Sequence, residues 1–241
     1  MHLDLLVFAA HPDDAEISCS GTLIKLGNQG YKTGVVTLTR GEMGSRGDEK
    51  TRKAEFDEAS RIIGLAVHRM LDIPDANIQI TMENKRKIIE VIREYRPTLV
   101  CTQYWVVRHP DHGNCSKLVQ EAAFLAGLKN IETGQESYRP NKVIYTPTKY
   151  DFKPSFIVDI SDTFDRKMEA IRAYKSQFHN KNWYHDKEEN TYISSPQFID
   201  LITARATYWG AKIGVAYGEP FLVREPLKIN DPVHLFSDSR M

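Results

Sequence analysis

Two short clusters in this 241-residue sequence combine residue types that do chemistry together. His11-Pro12-Asp13-Asp14-Ala15-Glu16 places one imidazole and three carboxylates within six residues, and His109-Pro110-Asp111-His112 places two imidazoles and a carboxylate within four. Imidazole and carboxylate are the usual ligands of catalytic zinc, which takes three protein N/O ligands and keeps a fourth position open for water. The same donors suit Fe(II) or Co(II), so the ligand set is better defined than the metal. There are more candidates than ligands, which leaves a carboxylate free to act as a base toward water. The plainer reading is that Asp13 or Asp14 merely caps the helix that follows. One such cluster alone favours that reading; two His-Pro-Asp clusters favour a metal.

The elements around the clusters strengthen the case. Residues 3–9 form a nearly continuous apolar run, the pattern of a strand buried on both faces of a parallel sheet. Strands are likewise expected at 33–39, 67–72 and 98–103, alternating with helices at 16–29, 51–63 (stopped by Gly64), 83–95 (ended by Pro97) and 115–128. This alternation predicts an α/β fold with a mostly parallel, doubly wound sheet, and no linker or repeat divides residues 1–241, so one domain is expected. The first cluster then follows the first strand, and the second lies in a polar loop at 104–114 after the strand at 98–103. Both stand at C-terminal strand ends, where open α/β sheets form their ligand crevices. Beyond them come strands at 142–147 and 155–159, a helix at 162–175 and a long aperiodic loop at 179–194. Ser195-Pro196 starts a helix striped by Ile199, Ile202, Ala206, Trp209 and Ile213, and residues 214–235 read as a short strand and an extended arm.

Composition narrows the classes. Lys+Arg and Asp+Glu both number 32, so the basic excess of a nucleic-acid binder is missing. No apolar run approaches the roughly 20 residues of a membrane span. The three cysteines, Cys19, Cys101 and Cys115, form no CxxC, which points away from a disulfide framework and toward the reducing cytosol. Gly41, Gly44 and Gly47 follow a strand but do not make GxGxxG, and neither GxSxG nor a Walker A is present. Arg40, Glu42, Arg46 and Arg52 lie close enough to the expected crevice to meet an anionic or hydroxylated substrate.

The two clusters resemble the signature turns of the LmbE-like, or PIG-L-type, zinc deacetylases: an AHPDDAE turn at 10–16 and an HPDH turn at 109–112. LTRGEMGSRG at 38–47, Arg52, Pro74-Asp75 and AYKSQF at 173–178 are similar to further segments of that family, so the resemblance extends to about residue 224. Within the family, SKLVQEAAFLAGLKNIETGQESYRPNKVIY at 116–145 and SPQFIDLITARA at 195–206 resemble the bacillithiol-pathway deacetylases. The resemblance implies a Rossmann-like three-layer fold, a homohexamer and hydrolysis of N-acetylglucosaminyl malate to glucosaminyl malate and acetate. It implies zinc held by His11, Asp14 and His112, with Asp13 as general base toward a zinc-bound water. It makes His109 the stabiliser of the oxyanion and Asp111 the partner that orients a histidine. It puts Arg52 and Asp75 on sugar hydroxyls, and Arg108 is suited to pair with malate carboxylates. Two positions depart from the pattern: Val107 stands where close relatives carry Asp, and Phe198 where some carry a Tyr. Tyr192 or Tyr184 in the preceding loop are candidates for the missing hydroxyl. The alternatives are a deacetylase of another N-acetylglucosamine derivative, an amidase of a bacillithiol conjugate, and a weakly active metal- or sugar-binding relative.

Overall fold

The computed structural model describes residues 1–180, 190–233 and 237. In chain order the elements are β1 (Leu5–Ala9), α1 (Asp14–Asn28), β2 (Thr33–Thr37), α2 (Glu49–Ile63), β3 (Val67–Met70), α3 (Met82–Tyr95), β4 (Leu99–Gln103), α4 (Pro110–Leu125), β5 (Lys142–Thr146), β6 (Phe156–Asp159), α5 (Phe164–Arg172), α6 (Pro196–Ala211) and β7 (Gly218–Val223). The seven strands form one sheet in the order β3-β2-β1-β4-β5-β7-β6. Every pairing is parallel except those of β7, which runs antiparallel to both β5 and β6. The expected α/β class and mostly parallel sheet are therefore present, with helices on both faces.

The apolar runs of the strands serve two cores. Leu5, Val7 and Ala9 of β1 pack with Cys19, Leu23, Phe56, Phe164 and Ile202 on one face. Leu6 and Phe8 pack with Ile88, Ile92, Leu118 and Val119 on the other. Both faces being covered, the central strands lack the polar alternation of a half-exposed sheet. All three cysteines are free and buried, Cys115 within the second core. Gly64 ends α2 at φ 83°, where its N–H bonds Ser60 O; a side chain there would be strained.

Two helices differ from expectation. The helix expected at 115–128 begins at Pro110, so the HPDH turn is a helix start rather than part of a loop. The cause is a His-Pro N-cap and N1 pair, with Pro110 supplying a helix-ready φ where no N–H is needed. The helix expected at 162–175 ends at Arg172, and Ala173–Phe178 make a turn. That turn is an anchor. Ser176 donates from N and Oγ to Glu55 at 2.7 Å each, while Ser176 O accepts from Arg46 Nε at 2.6 Å. It thereby ties the loop after β2 to α2. Most of the loop expected at 179–194, with Tyr184, lies outside the described residues.

Helix α1 is supported from the far end of the chain. The mid-helix amides of Gly21 and Thr22 donate to the Glu219 carboxylate of β7 at 3.0 and 2.7 Å. Lys167 of α5 donates from Nζ to Ile17 O at 2.7 Å and to Glu219 Oε1 at 2.6 Å. The ion pair is buried, with both side chains 3% exposed.

Candidate active site

The strand order reverses between β1 and β4, and both clusters sit at that switch point. The turn after β1 delivers His11, Asp13 and Asp14; the first turn of α4, after β4, delivers His109, Asp111 and His112.

His11, Asp14 and His112 converge. His11 Nδ1 is 3.3 Å from His112 Nε2 and 3.5 Å from Asp14 Oδ2, and His112 Nε2 is 3.3 Å from Asp14 Oδ1. Metal–ligand bonds of about 2.0–2.1 Å in a tetrahedral site set ligand–ligand edges of about 3.3–3.4 Å. The spacing and the donor chemistry thus fit one divalent cation. A second group, His11, His109 and Asp111, also has its donors within 4.8 Å. In that group Asp111 Oδ1 accepts from Ile78 N at 3.2 Å and His109 Nδ1 accepts from Asp111 N at 3.3 Å; in the first, Asp14 Oδ2 accepts from His11 N at 2.8 Å. Burial opposes charge on Asp14, but His112 and His11 outweigh it and hold the carboxyl well below its usual range. Burial likewise opposes charge on His11, and Asp111, Asp14 and Asp75 outweigh it, raising its pKa.

Asp13 belongs to neither donor group. It is the N-cap position of α1, yet its side chain makes no capping bond and its φ is 110°. The plain capping reading therefore does not describe it. A non-glycine residue in that region costs about 1–3 kcal/mol and persists only where its surroundings impose it. Burial pushes its carboxyl up to about 7 against the lowering field of Arg52, while Asp14 raises it further. Arg52 is itself buried. It donates from Nη2 to Pro12 O at 2.6 Å and lies 3.5 Å from Asp13 Oδ2, out of reach of solvent. Gly41, at φ 71°, lets the loop pass this guanidinium, since a Cβ there would sit 3.0 Å from Nη2.

His109 caps α4 through its ring. Because Nδ1 accepts a backbone N–H, the proton of a neutral imidazole belongs on Nε2, which makes Nε2 a donor. Burial and the neighbouring His11 lower its pKa, consistent with a neutral ring. Asp111, expected to orient a histidine, has Oδ2 3.4 Å from His11 Nε2 without the alignment of a hydrogen bond. That bond goes to Asp75, whose Oδ1 is 2.9 Å from His11 Nε2. Arg108 is exposed, one residue before His109. Phe198 stacks against Phe178 and meets the edge of Tyr192, which is exposed. Sequence reasoning missed Tyr174, whose hydroxyl donates to the buried Glu16 at 3.0 Å; its place in the AYKSQF segment was the available signal.

Known proteins resemble this chain in sequence and in fold. The PIG-L pattern, described as GlcNAc-PI de-N-acetylase, matches residues 6–123. A diacetylchitobiose deacetylase of Thermococcus kodakarensis is 32% identical over 74% of this chain and 72% of its own length. A 4-oxalmesaconate hydratase of Pseudomonas putida is 26% identical over 83% and 84%. A probable N-acetyl-alpha-D-glucosaminyl L-malate deacetylase 2 of Bacillus anthracis is 26% identical over 73% and 82%. The crystal structure of a conserved protein from Thermus thermophilus superposes with a TM-score of 0.85 and 38% identity, covering 94% of this chain and 97% of that one.

Proposed function

The chain belongs to the PIG-L, LmbE-like family of N-acetyl-sugar deacetylases, and from that premise we propose that it hydrolyses the acetamide of an N-acetylglucosamine conjugate, N-acetylglucosaminyl malate, at a metal held by His11, Asp14 and His112. The observation that carries this reading is the trio of donors at tetrahedral spacing with a strained, buried Asp13 beside it and outside it. A bound divalent metal, zinc or in its place Fe(II) or Co(II), supplies Lewis-acid polarisation and acidifies a water. Asp13 removes the proton of the attacking water and returns it to the leaving amine nitrogen. His109 donates from Nε2 to the oxygen of the amide carbonyl as charge develops there. Acetate and a free amino sugar leave, and no covalent intermediate on the protein is required. His109→Ala is expected to lower kcat roughly 10²–10³-fold, as read by acetate release with metal content unchanged.

The Thermococcus relative favours a second substrate reading, diacetylchitobiose, within the same chemistry. Acetate release from both sugars by the zinc-loaded protein, repeated after chelation, tests the function and its substrate together. The proposal expects turnover that disappears with the metal. It also expects Arg108→Ala to raise KM for the malate conjugate and spare diacetylchitobiose, because a guanidinium pairs bidentately with carboxylates. Turnover of diacetylchitobiose alone would replace the malate reading, and turnover of neither would overturn both substrate readings and move the search to other N-acetylated sugars, then to a binding role. The three free, buried cysteines suit a reducing cytosol, and no described helix is long and apolar enough to cross a membrane. The homohexamer implied by the family resemblance is part of the same proposal.

A further inference from the structure

We infer that Asp75 is a positioning residue: it accepts the Nε2–H of His11 and so turns the Nδ1 lone pair toward Asp14 and His112. The inference deepens the reading above and rests on its metal centre, not on its substrate. A neutral imidazole that offers Nδ1 to a cation must carry its proton on Nε2. A carboxylate on that N–H fixes the tautomer, the ring orientation and the basicity of the ligating nitrogen. Asp75 Oδ1 stands 2.9 Å from His11 Nε2, while the other candidate acceptor, Asp111 Oδ2, is at 3.4 Å and out of line.

Asp75 is itself held from several directions. Its Oδ1 also accepts from Ala76 N at 2.8 Å, and its Oδ2 accepts from Met43 N at 3.0 Å. Its own N–H donates to Glu42 Oε1 at 2.8 Å, and Glu42 Oε2 accepts from Arg40 N at 3.2 Å. The loop after β2 and the turn after β3 therefore clasp each other, and the clasp ends on the ring of His11. The side chain is 8% exposed. A carboxylate so engaged is committed to the imidazole before any sugar hydroxyl arrives, unlike the substrate contact that the family resemblance implies.

The experiment is a titration of the metal-free protein with cobalt(II) against a competing chelator, reading both affinity and the visible spectrum. Asp75→Ala is expected to bind cobalt about 10–100-fold more weakly. Asp75→Asn, whose amide oxygen still accepts from Nε2–H, is expected to recover part of that loss. KM for the acetylated sugar should change little in either. Asp75→Ser, too short to reach the ring, takes the place of the alanine variant if that one does not fold. A merely structural role would lower the melting temperature of the metal-free variants without separating Ala from Asn in cobalt affinity. Cobalt affinity within twofold of the wild type together with a KM raised about tenfold would assign the carboxylate to substrate and overturn the inference. Wild-type protein that releases no acetate from either sugar would refute the substrate readings above and leave this measurement intact, since it reads metal rather than turnover.

Discussion

Asp13→Asn is expected to lower kcat roughly 10²–10⁴-fold while leaving metal content at the wild-type level. That loss corresponds to about 2.7–5.5 kcal/mol of transition-state stabilisation. Metal retention is expected because the converging donors come from His11, Asp14 and His112. Activity loss is expected because an amide cannot replace a carboxylate that must take and return a proton. Asparagine is the right replacement for a second reason. Residue 13 sits at φ 110°, and Asn tolerates positive φ better than Ala, so the turn that presents Asp14 is least disturbed. Metal analysis and acetate release on the same sample check the prediction. Loss of metal along with activity would make Asp13 part of the metal-binding scaffold. A fall of less than tenfold would remove it from the chemistry.

Lys167→Met is expected to destabilise the protein by about 3–5 kcal/mol, the cost of leaving a buried carboxylate without its cation. For a chain of this size that lowers Tm by about 6–20 °C. The charge at risk is Glu219, which accepts from Gly21 N, Thr22 N, Thr22 Oγ1 and Lys167 Nζ. The double variant Lys167→Met/Glu219→Gln should recover part of the loss, because the amide oxygen still serves a helix N–H and no charge is stranded. Thermal or denaturant unfolding of the single and double variants measures this. A single-variant cost under about 1 kcal/mol, the range of an exposed pair, would contradict the buried-pair account.

How much of this was legible in the sequence depended on distance along the chain. The buried strands announced themselves as apolar runs, and strand ends placed both clusters on one edge. The beginning of α4 was obscured because its polar residues looked like loop, although His109-Pro110 uses the same cap-then-proline order that was legible at Ser195-Pro196. Contacts between distant residues leave no periodic trace. Asp75 lies 64 residues from His11, and only the family resemblance of Pro74-Asp75 hinted that it would reach the crevice. Lys167 and Glu219 look like surface charges when read locally, yet each is a partner for α1. Arg52, read in sequence as a substrate contact, has its buried guanidinium against Pro12 O and Asp13, a placement that no local pattern announces.

The support that Glu219 and Lys167 give to α1 has a consequence for how the chain is made. Synthesis runs from the N-terminus, so the two His-Pro-Asp clusters, from His11 to His112, emerge long before residue 167 and longer still before residue 219. Until then α1 lacks the buried carboxylate that its Gly21 and Thr22 amides reach, and Cys19 and Leu23 lack the Phe164, Ile202 and Phe221 with which they share a core. A nascent chain that has reached residue 123, where the family pattern ends, holds both clusters without a fully packed helix beneath them. The edge that carries both clusters thereby becomes rigid only after β7 has emerged and closed over the first helix.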